Sequence, residues 1–334
     1  MIVAKKFINN PEELVGELLE GYTLAYPNKV RLTEDKMVVR TVSKLAGKVG
    51  LVTLGGSGHE PGLSGFVGQG LLDVSVPGEI FAAPSPRRCL KALSLADQGS
   101  GVLFLVLNHA GDVLTANLTM DLALKQGLHV DMILIHDDVA SGPREKPQER
   151  RGLVGFLPVA KVAGAAAEAG KSLEQVKGVA ERMSANMRTL AVAVRAATHP
   201  CTGEALFTMG DDEMAIGMGQ HGEAGTCLIK MKSADETAEI MLNQLLADLN
   251  ARSGDELLVI LNGAGSTTLM ELFVVFRQVS HILKNKKISL ARSLVGEFIT
   301  TQEQAGFQML IAKLDRELTE FWDAPCDAPY LVVR

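Results

Sequence analysis

The stretch 49-VGLVTLGGSGHEP-61 joins a short apolar run to a glycine-rich turn, and it is the clearest fold signal in the chain. Apolar runs of this length are typical of strands that are buried in a parallel sheet. Further runs of the same kind follow at residues 102–107, 130–135, 226–231, 257–261 and 288–294. Longer amphipathic segments separate them. This alternation of strand and helix predicts an α/β protein.

The length of the chain predicts two domains, because it has 334 residues and a typical domain has about 150. A helical pattern over residues 172–187 ends before a Thr-His-Pro segment, and we place the boundary there. The prediction is two α/β domains, at residues 1–188 and 189–334. Hydrophobic residues make up 47% and charged residues 22% of the chain, which excludes disordered, collagen-like and coiled-coil proteins.

Charge and hydropathy argue against nucleic acid and membranes as partners. The net charge is −6, and no basic stripe interrupts the acidic balance. The longest apolar runs fall short of the roughly 18 residues that a membrane span requires. The four cysteines are scattered, and the first 20 residues lack the features of a signal peptide. Reduced thiols and a cytoplasmic location are the expectation.

The glycine-rich turn at residues 55–61 is the first candidate for a binding site. Its glycines let backbone amides approach a small polar ligand or a phosphate, although such turns are also common as purely structural features. It lacks both the Gly-Lys-Ser/Thr of a Walker loop and the helix start of the dinucleotide fingerprint. His59, at the end of the turn, is either a proton carrier or a histidine whose ring bonds a backbone carbonyl.

The next strand end, 107-LNHAGD-112, brings polar side chains to the same edge of the sheet. Asp112 has two interpretations: a carboxylate in the crevice, or the N-cap of a helix that begins at Val113. His109 likewise either faces the crevice or is a surface residue.

A third cluster lies in 211-DDEMAIGMGQHGEAG-225. Glycines frame His221, so we expect its imidazole on an irregular loop, where it can act as a nucleophile or a general base. The acidic residues of this segment match neither an EF-hand nor a zinc signature. We therefore expect no metal site, and we assign these residues to helix starts and to solvent: Asp211, Asp212, Glu213 and Glu223.

Nine motifs in a fixed order make the chain resemble the family of dihydroxyacetone kinase K subunits. They are GGSGHEP, PGEIF, NHAGD, DDVA, RRG, KVAGAAAEAG, DDEMAIGMGQHGEAG, LNGAGSTTLMEL and AGFQMLIAKLD. The resemblance covers essentially the whole chain. It implies a homodimeric two-domain α/β protein that binds a short ketose, dihydroxyacetone or a four-carbon analogue, and presents its hydroxyl for phosphorylation.

The resemblance also implies a role for individual residues. The family's histidine that attacks the ketone carbonyl to form a hemiaminal falls on His221. The acid/base histidine falls on His59, and the carboxylate that helps to activate the terminal hydroxyl falls on Asp112. Backbone groups are implied to hold the other oxygens of the substrate, at Gly56, Ser57 and Gly58.

Several positions depart from the family pattern. Leu107 stands where the family has a lysine, His109 where it has a tyrosine, Leu63 where it has a histidine, and Ala224 where it has a proline. The departures leave the identity of the ketose open, and they keep an alternative function, a ketose-binding regulatory co-activator without kinase activity. The retained acid/base pair favours the kinase, because a sensor has no need of a positioned base.

The resemblance finally implies a partner. Fused members of the family carry an additional nucleotide-binding L domain, and the chain to Arg334 has none, so we expect a separate L-type subunit. That subunit is expected to bring the nucleotide and its magnesium, with no cofactor bound by this chain. The phosphoryl donor stays open between free ATP and bound ADP that a phosphotransferase-system protein recharges.

Overall fold

Two six-stranded sheets form the framework of the protein. The computed structural model describes residues 5–42, 47–223, 225 and 227–334. The strands of the first sheet are β1 (Val30–Leu32), β2 (Val38–Arg40), β3 (Gly50–Ser57), β4 (Val74–Ile80), β5 (Val102–Leu107) and β6 (Val130–Ile135). They lie in the order β1-β2-β4-β3-β5-β6, and the last four are mutually parallel. The carboxyl ends of β3 and β5 therefore meet at one edge.

The second sheet is mainly antiparallel. Its strands are β7 (Met187–Arg195), β8 (Glu213–Ile216), β9 (Cys227–Lys230), β10 (Glu256–Gly263), β11 (Ser289–Gly296) and β12 (Ala305–Lys313). They lie in the order β11-β10-β12-β7-β8-β9, and of these neighbours only β10 and β11 are parallel.

Helices cover both sheets. They are α1 (Leu14–Ala25), α2 (Pro86–Ala96), α3 (Ala110–Lys125), α4 (Phe156–Glu168), α5 (Leu173–Ala185), α6 (Ala234–Leu249), α7 (Leu269–Asn285) and α8 (Arg316–Asp323). Helices α5, α6 and α7 each begin with a capping box, in which a Ser or Thr and a Glu or Gln three residues later bond each other's backbone amides.

Helix α4 joins the two sheets. Every residue of it from Phe156 to Ala167 is buried, which its alanines and Gly164 permit because small side chains allow close approach. One continuous core contains α4 and α5 together with Leu51 of the first sheet and Leu258 of the second. The shared layer fixes the two sheets relative to each other, since close-packed interiors resist sliding.

The C-terminal segment returns to the first sheet. Side chains of α8 and of the hairpin β13 (Cys326–Ala328) and β14 (Leu331–Val333) belong to the core that contains the first sheet. The second sheet begins at Met187, and we keep the division into residues 1–188 and 189–334 as a proposal.

The α/β class is confirmed, and the predicted strands at residues 102–107 and 130–135 have the bounds of β5 and β6. The parallel pattern was wrong for the second sheet. The run at residues 226–231 contains β9, which is an edge strand and mostly exposed rather than buried; Thr226 lies outside the described residues. Among the described helices, none has the length and apolar character to cross a membrane.

Two helical glycines give a matched test of the close packing of α4 between the two sheets. A Cβ added at Gly164 of α4 would clash with the Gly70 carbonyl, whereas one at Gly178 of α5 would meet no atom within 4 Å. Gly164→Ala should lower the free energy of unfolding by about 1–3 kcal/mol. Gly178→Ala should raise it by about 0.5–1 kcal/mol, because alanine favours the helix. Denaturant unfolding measures both; equal effects would contradict the close packing of α4.

Candidate active site

A cavity of about 220 Å³ lies where the carboxyl edge of the first sheet meets a loop of the second. The end of β3 contributes Gly56, the turn after it contributes His59, and the start of α3 contributes Asp112. The loop that follows β8 contributes His221 and Glu223. Residues from three separate segments thus converge on one volume, as expected for a site at the edge of an open α/β sheet.

His59 is buried and held by the second half of the chain. Its Nδ1 lies 2.7 Å from the carbonyl oxygen of Thr300, so Nδ1 carries a proton and donates it. The ring nitrogen Nε2 is then the acceptor. Burial first, and then the charge of His221, lower the pKa of His59 to about 3. The interpretation that the ring bonds a backbone carbonyl is confirmed for Nδ1. The role of proton carrier stays a prediction, for which Nε2 faces the cavity and His221.

His221 lies on an irregular loop, as its glycine neighbours predict. Gly222 has a φ of +85°, which lets the chain reverse there. Glu223 binds His221 twice: its carboxylate accepts from the backbone amide at 2.8 Å and from Nδ1 at 3.0 Å. Although burial acts to raise it, these hydrogen bonds hold the pKa of Glu223 below its usual range. The assignment of Glu223 to solvent was wrong.

The two histidines meet directly across the cavity. Nε2 of His221 lies 3.0 Å from Nε2 of His59. Nδ1 of His59 donates to Thr300, so its Nε2 accepts, and Nε2 of His221 is the donor in this contact. A His221 ring that also donates from Nδ1 to Glu223 is an imidazolium, whose positive charge faces that carboxylate. A shift of the Nε2 proton to His59 would leave a lone pair on His221 Nε2.

Asp112 lies in the first turn of α3 and is 9% exposed. The helix begins at Ala110 with His109 at the N-cap, so the alternative that Asp112 caps a helix starting at Val113 is wrong. Burial raises the pKa of Asp112 to about 7, against the opposing charge of His221. A carboxyl group with that pKa can accept a proton near neutral pH and release it again.

The glycine turn is divided between two environments. Gly56 lines the cavity with His221, but the Ser57 hydroxyl donates to the Gly78 carbonyl at 2.7 Å. The amide of Gly58 donates to the Glu60 carboxylate at 3.1 Å. Neither Ser57 nor Gly58 lines this cavity; Ser57 lines a second one, of about 420 Å³, on the side of α1.

Two further residues shape the site. His109 is half-buried rather than a surface residue, and its Nε2 donates to the Gly152 carbonyl at 2.8 Å. Phe81 packs its ring 5.3 Å from that of His59 and 5.1 Å from that of His221, with a φ of +56°. No sequence signal reveals that Phe81 has a left-handed backbone conformation, since residues other than glycine rarely adopt a positive φ.

Two of the positions that depart from the family pattern, Leu63 and Leu107, give the cavity apolar walls. Ala224 lies outside the described residues.

Comparison with known proteins places this arrangement in a family. Residues 20–330 match the family model of the Dak1 domain. The chain belongs to the Dak1 family. This Dak1 chain is 38% identical to the dihydroxyacetone-binding subunit DhaK of a PTS-dependent dihydroxyacetone kinase of Listeria innocua, over 94% of the chain and 95% of that subunit.

Two other relatives of this Dak1 chain differ in their named functions. The L-erythrulose kinase of Pectobacterium atrosepticum is 39% identical, over 96% of the chain and 55% of the kinase. A solved structure named as a dihydroxyacetone kinase operon co-activator is 28% identical, with a TM-score of 0.90 over 97% of this chain and 99% of that one.

The buried carboxyl of Asp112 predicts a pH-dependent cost in stability. The folded protein keeps this proton up to about pH 7, whereas an unfolded aspartate releases it near pH 4, so the wild type loses stability as the pH rises between these values. Asp112→Asn has no carboxylate to desolvate. It should exceed the wild type in unfolding free energy at pH 8 by on the order of 2–4 kcal/mol, and the gain should shrink toward pH 4.

Asp121, exposed on the same helix, provides the control. Asp121→Asn should change the unfolding free energy by less than about 0.5 kcal/mol at every pH. A gain for Asp112→Asn that does not vary between pH 4 and pH 8 would show that the carboxyl is not strained by burial.

Proposed function

We propose that this protein is the substrate-binding subunit of a dihydroxyacetone kinase or a closely related short-chain ketose kinase. The observation that carries the proposal is the contact of His221 with His59 in a cavity that also contains Asp112. A nucleophile, a proton donor and a base are the three groups that binding and phosphorylating a ketose require. The named activities of the Dak1 relatives support the same substrate class.

In the proposed binding step, the Nε2 proton of His221 moves to His59 and frees the lone pair of His221 Nε2. This nitrogen adds to the ketone carbon while the ketone oxygen takes the proton from His59. The product is a hemiaminal with a neutral hydroxyl, and the positive charge remains on the alkylated imidazole of His221 beside Glu223. Such an adduct requires a carbonyl, so its formation distinguishes a ketose from glycerol. Hydrogen bonds alone distinguish the two poorly.

In the proposed transfer step, Asp112 removes the proton from the terminal hydroxyl as it attacks phosphorus. Phosphoryl transfer depends mainly on positioning and charge stabilisation, to which a base adds about 10²–10⁴-fold. None of the described residues that line the cavity is a lysine or an arginine. This supports the proposal that the nucleotide and its magnesium, which supply the phosphoryl group, are carried by an L-type partner subunit.

The alternative is a ketose-binding co-activator, and the structural likeness to a co-activator favours it. A co-activator needs the hemiaminal but no base. The buried Asp112 favours the kinase, since its carboxyl costs stability and serves only the transfer step. Phosphorylation of any member of a panel of three- and four-carbon ketoses, with the partner subunit supplied, decides between the two.

We also propose a cytoplasmic homodimer. The cysteines are free thiols among the described residues, as a reducing compartment favours. Exposed apolar side chains of the second half of the chain support a subunit interface: Leu228, Met231, Leu269, Met270, Phe273 and Val274.

The roles of His221 and Asp112 are separable by two variants. With dihydroxyacetone labelled with ¹³C at the ketone carbon, NMR should show a hemiaminal resonance in the wild type and none in His221→Ala. Asp112→Asn should retain the resonance, while phosphorylation falls by about two orders of magnitude or more, because an amide cannot act as a base. A hemiaminal in His221→Ala, or near-normal turnover in Asp112→Asn, would remove that residue from the mechanism.

The partner must reach Asp112, and α3 offers it an apolar surface. Leu114 and Leu118 are exposed one and two turns along the helix from the cavity. Leu114→Asp should reduce phosphorylation at limiting partner concentration by about tenfold or more and leave hemiaminal formation unchanged, since a charge in an interface core opposes docking.

Leu124 supplies the control for this surface. It is 63% exposed, as Leu114 is, but it lies near the far end of α3, about 15 Å away along the axis. Leu124→Asp should leave both measurements near their wild-type values. Equal loss of phosphorylation in the two variants would rule out the cavity end of α3 as the docking surface.

A further inference from the structure

Three atoms of metal-ligand type gather at one side of the cavity. They belong to His109, His221 and Glu223, and one ligand atom of each lies within 4.8 Å of the other two. Oε1 of Glu223 lies 3.0 Å from the His221 nitrogen and 3.9 Å from the His109 nitrogen. Two ligands of a tetrahedral ion are about 3.3 Å apart when each lies about 2 Å from the metal, and the two distances from Glu223 lie on either side of that value.

The backbone fixes which nitrogen of His109 faces this group. Because Nε2 donates to the Gly152 carbonyl, the lone pair of a neutral His109 is on Nδ1. That lone pair points toward an oxygen of Glu223, which is also an acceptor. The two acceptors lie 3.9 Å apart with neither supplying a proton, and a cation between them would satisfy both.

The ring of His221 can also turn an Nδ1 lone pair toward this group. Nε2 of His59 is an acceptor, because its Nδ1 donates to Thr300. If Nε2 of His221 keeps the proton and donates it across the 3.0 Å contact, Nδ1 of His221 is left with a lone pair. Every imidazole proton of the three histidines then points away from the group formed by His109, His221 and Glu223.

We propose that His109, His221 and Glu223 form a binding site for Zn²⁺. Two imidazoles and one carboxylate suit zinc rather than magnesium, and three protein ligands leave a fourth position for water. The Gly152 carbonyl and His59 act as outer partners that orient the two ligating rings, as is usual at zinc sites. The ligands come from loops of different sheets, so no local sequence pattern could reveal the site.

Zinc at this site would act as an inhibitor rather than a cofactor. A neutral imidazole that binds metal through Nδ1 carries its proton on Nε2, and the proton removes the lone pair that attacks the ketone. This consequence rests on the proposed function, whereas the metal site itself does not.

Isothermal calorimetry with Zn²⁺ alone tests the site. The background variant is Cys227→Ser, because the exposed Cys227 thiol is another zinc ligand. One Zn²⁺ should bind, and His109→Phe should weaken binding by about 100-fold or more, since even outer-shell partners contribute about 10–100-fold. His281→Phe, on the exposed face of α7, should leave the affinity unchanged. Mg²⁺ at the same concentration should not compete.

The ¹⁵N spectrum of histidine side chains gives a second measurement that needs no variant of the site. With Zn²⁺ bound, Nδ1 of His221 should shift as a metal ligand and Nε2 should carry the proton. Equal zinc affinity in His109→Phe and its background, or a protonated Nδ1 in the zinc-bound protein, would overturn the site. If zinc binds as proposed but ketose still gives the hemiaminal, the inhibition is refuted while the site stands.

Discussion

The contact between the Nε2 atoms of His59 and His221 is the interaction on which the site depends, because each histidine belongs to a different sheet. A distance of 3.0 Å between side chains of separate sheets requires that the sheets cannot slide. The buried helix α4 provides this rigidity, since one core joins it to both sheets. The alanine-rich sequence of α4 thus contributes to the site at a distance, by holding the proposed nucleophile His221 against His59.

Backbone carbonyls determine the chemistry of the histidines as much as the side chains do. Thr300 and Gly152 each accept from one ring nitrogen, and each therefore decides where the lone pair of His59 or His109 lies. Glu223 contacts Nδ1 of His221 in the same way. In the proposed mechanism, the position of one proton on this ring decides whether Nε2 of His221 can act as a nucleophile. The proposed zinc ion and the proposed substrate would both act on the site by changing the position of that proton.

Sequence patterns predicted those parts of the fold in which local and global preferences agree. The apolar runs of β5 and β6 and the glycine turn before His59 are examples. Strand β4 was missed, because Pro77 and Gly78 within it are residues that strands disfavour. The pairing of Glu223 with His221 spans only two residues, yet acidic residues are so common on loops that the pattern alone favoured solvent. Whether Asp112 caps α3 depended on where the helix begins, which is the least certain feature of any sequence prediction.

The environment of Asp112 links the stability of the fold to its proposed chemistry. A carboxylate in the pocket beside Leu107 is costly, because no described side chain donates a hydrogen bond to it. Only the charge of His221 favours its ionised form. Specific capture of a ketose needs only the imidazole adduct, so the carboxyl adds nothing to binding that would offset its cost. A base whose pKa lies near neutral pH is partly ionised there, however, and its ionised form can take a proton as a hydroxyl attacks phosphorus. The destabilising position of Asp112 is therefore the feature of the cavity that a kinase explains and a sensor does not.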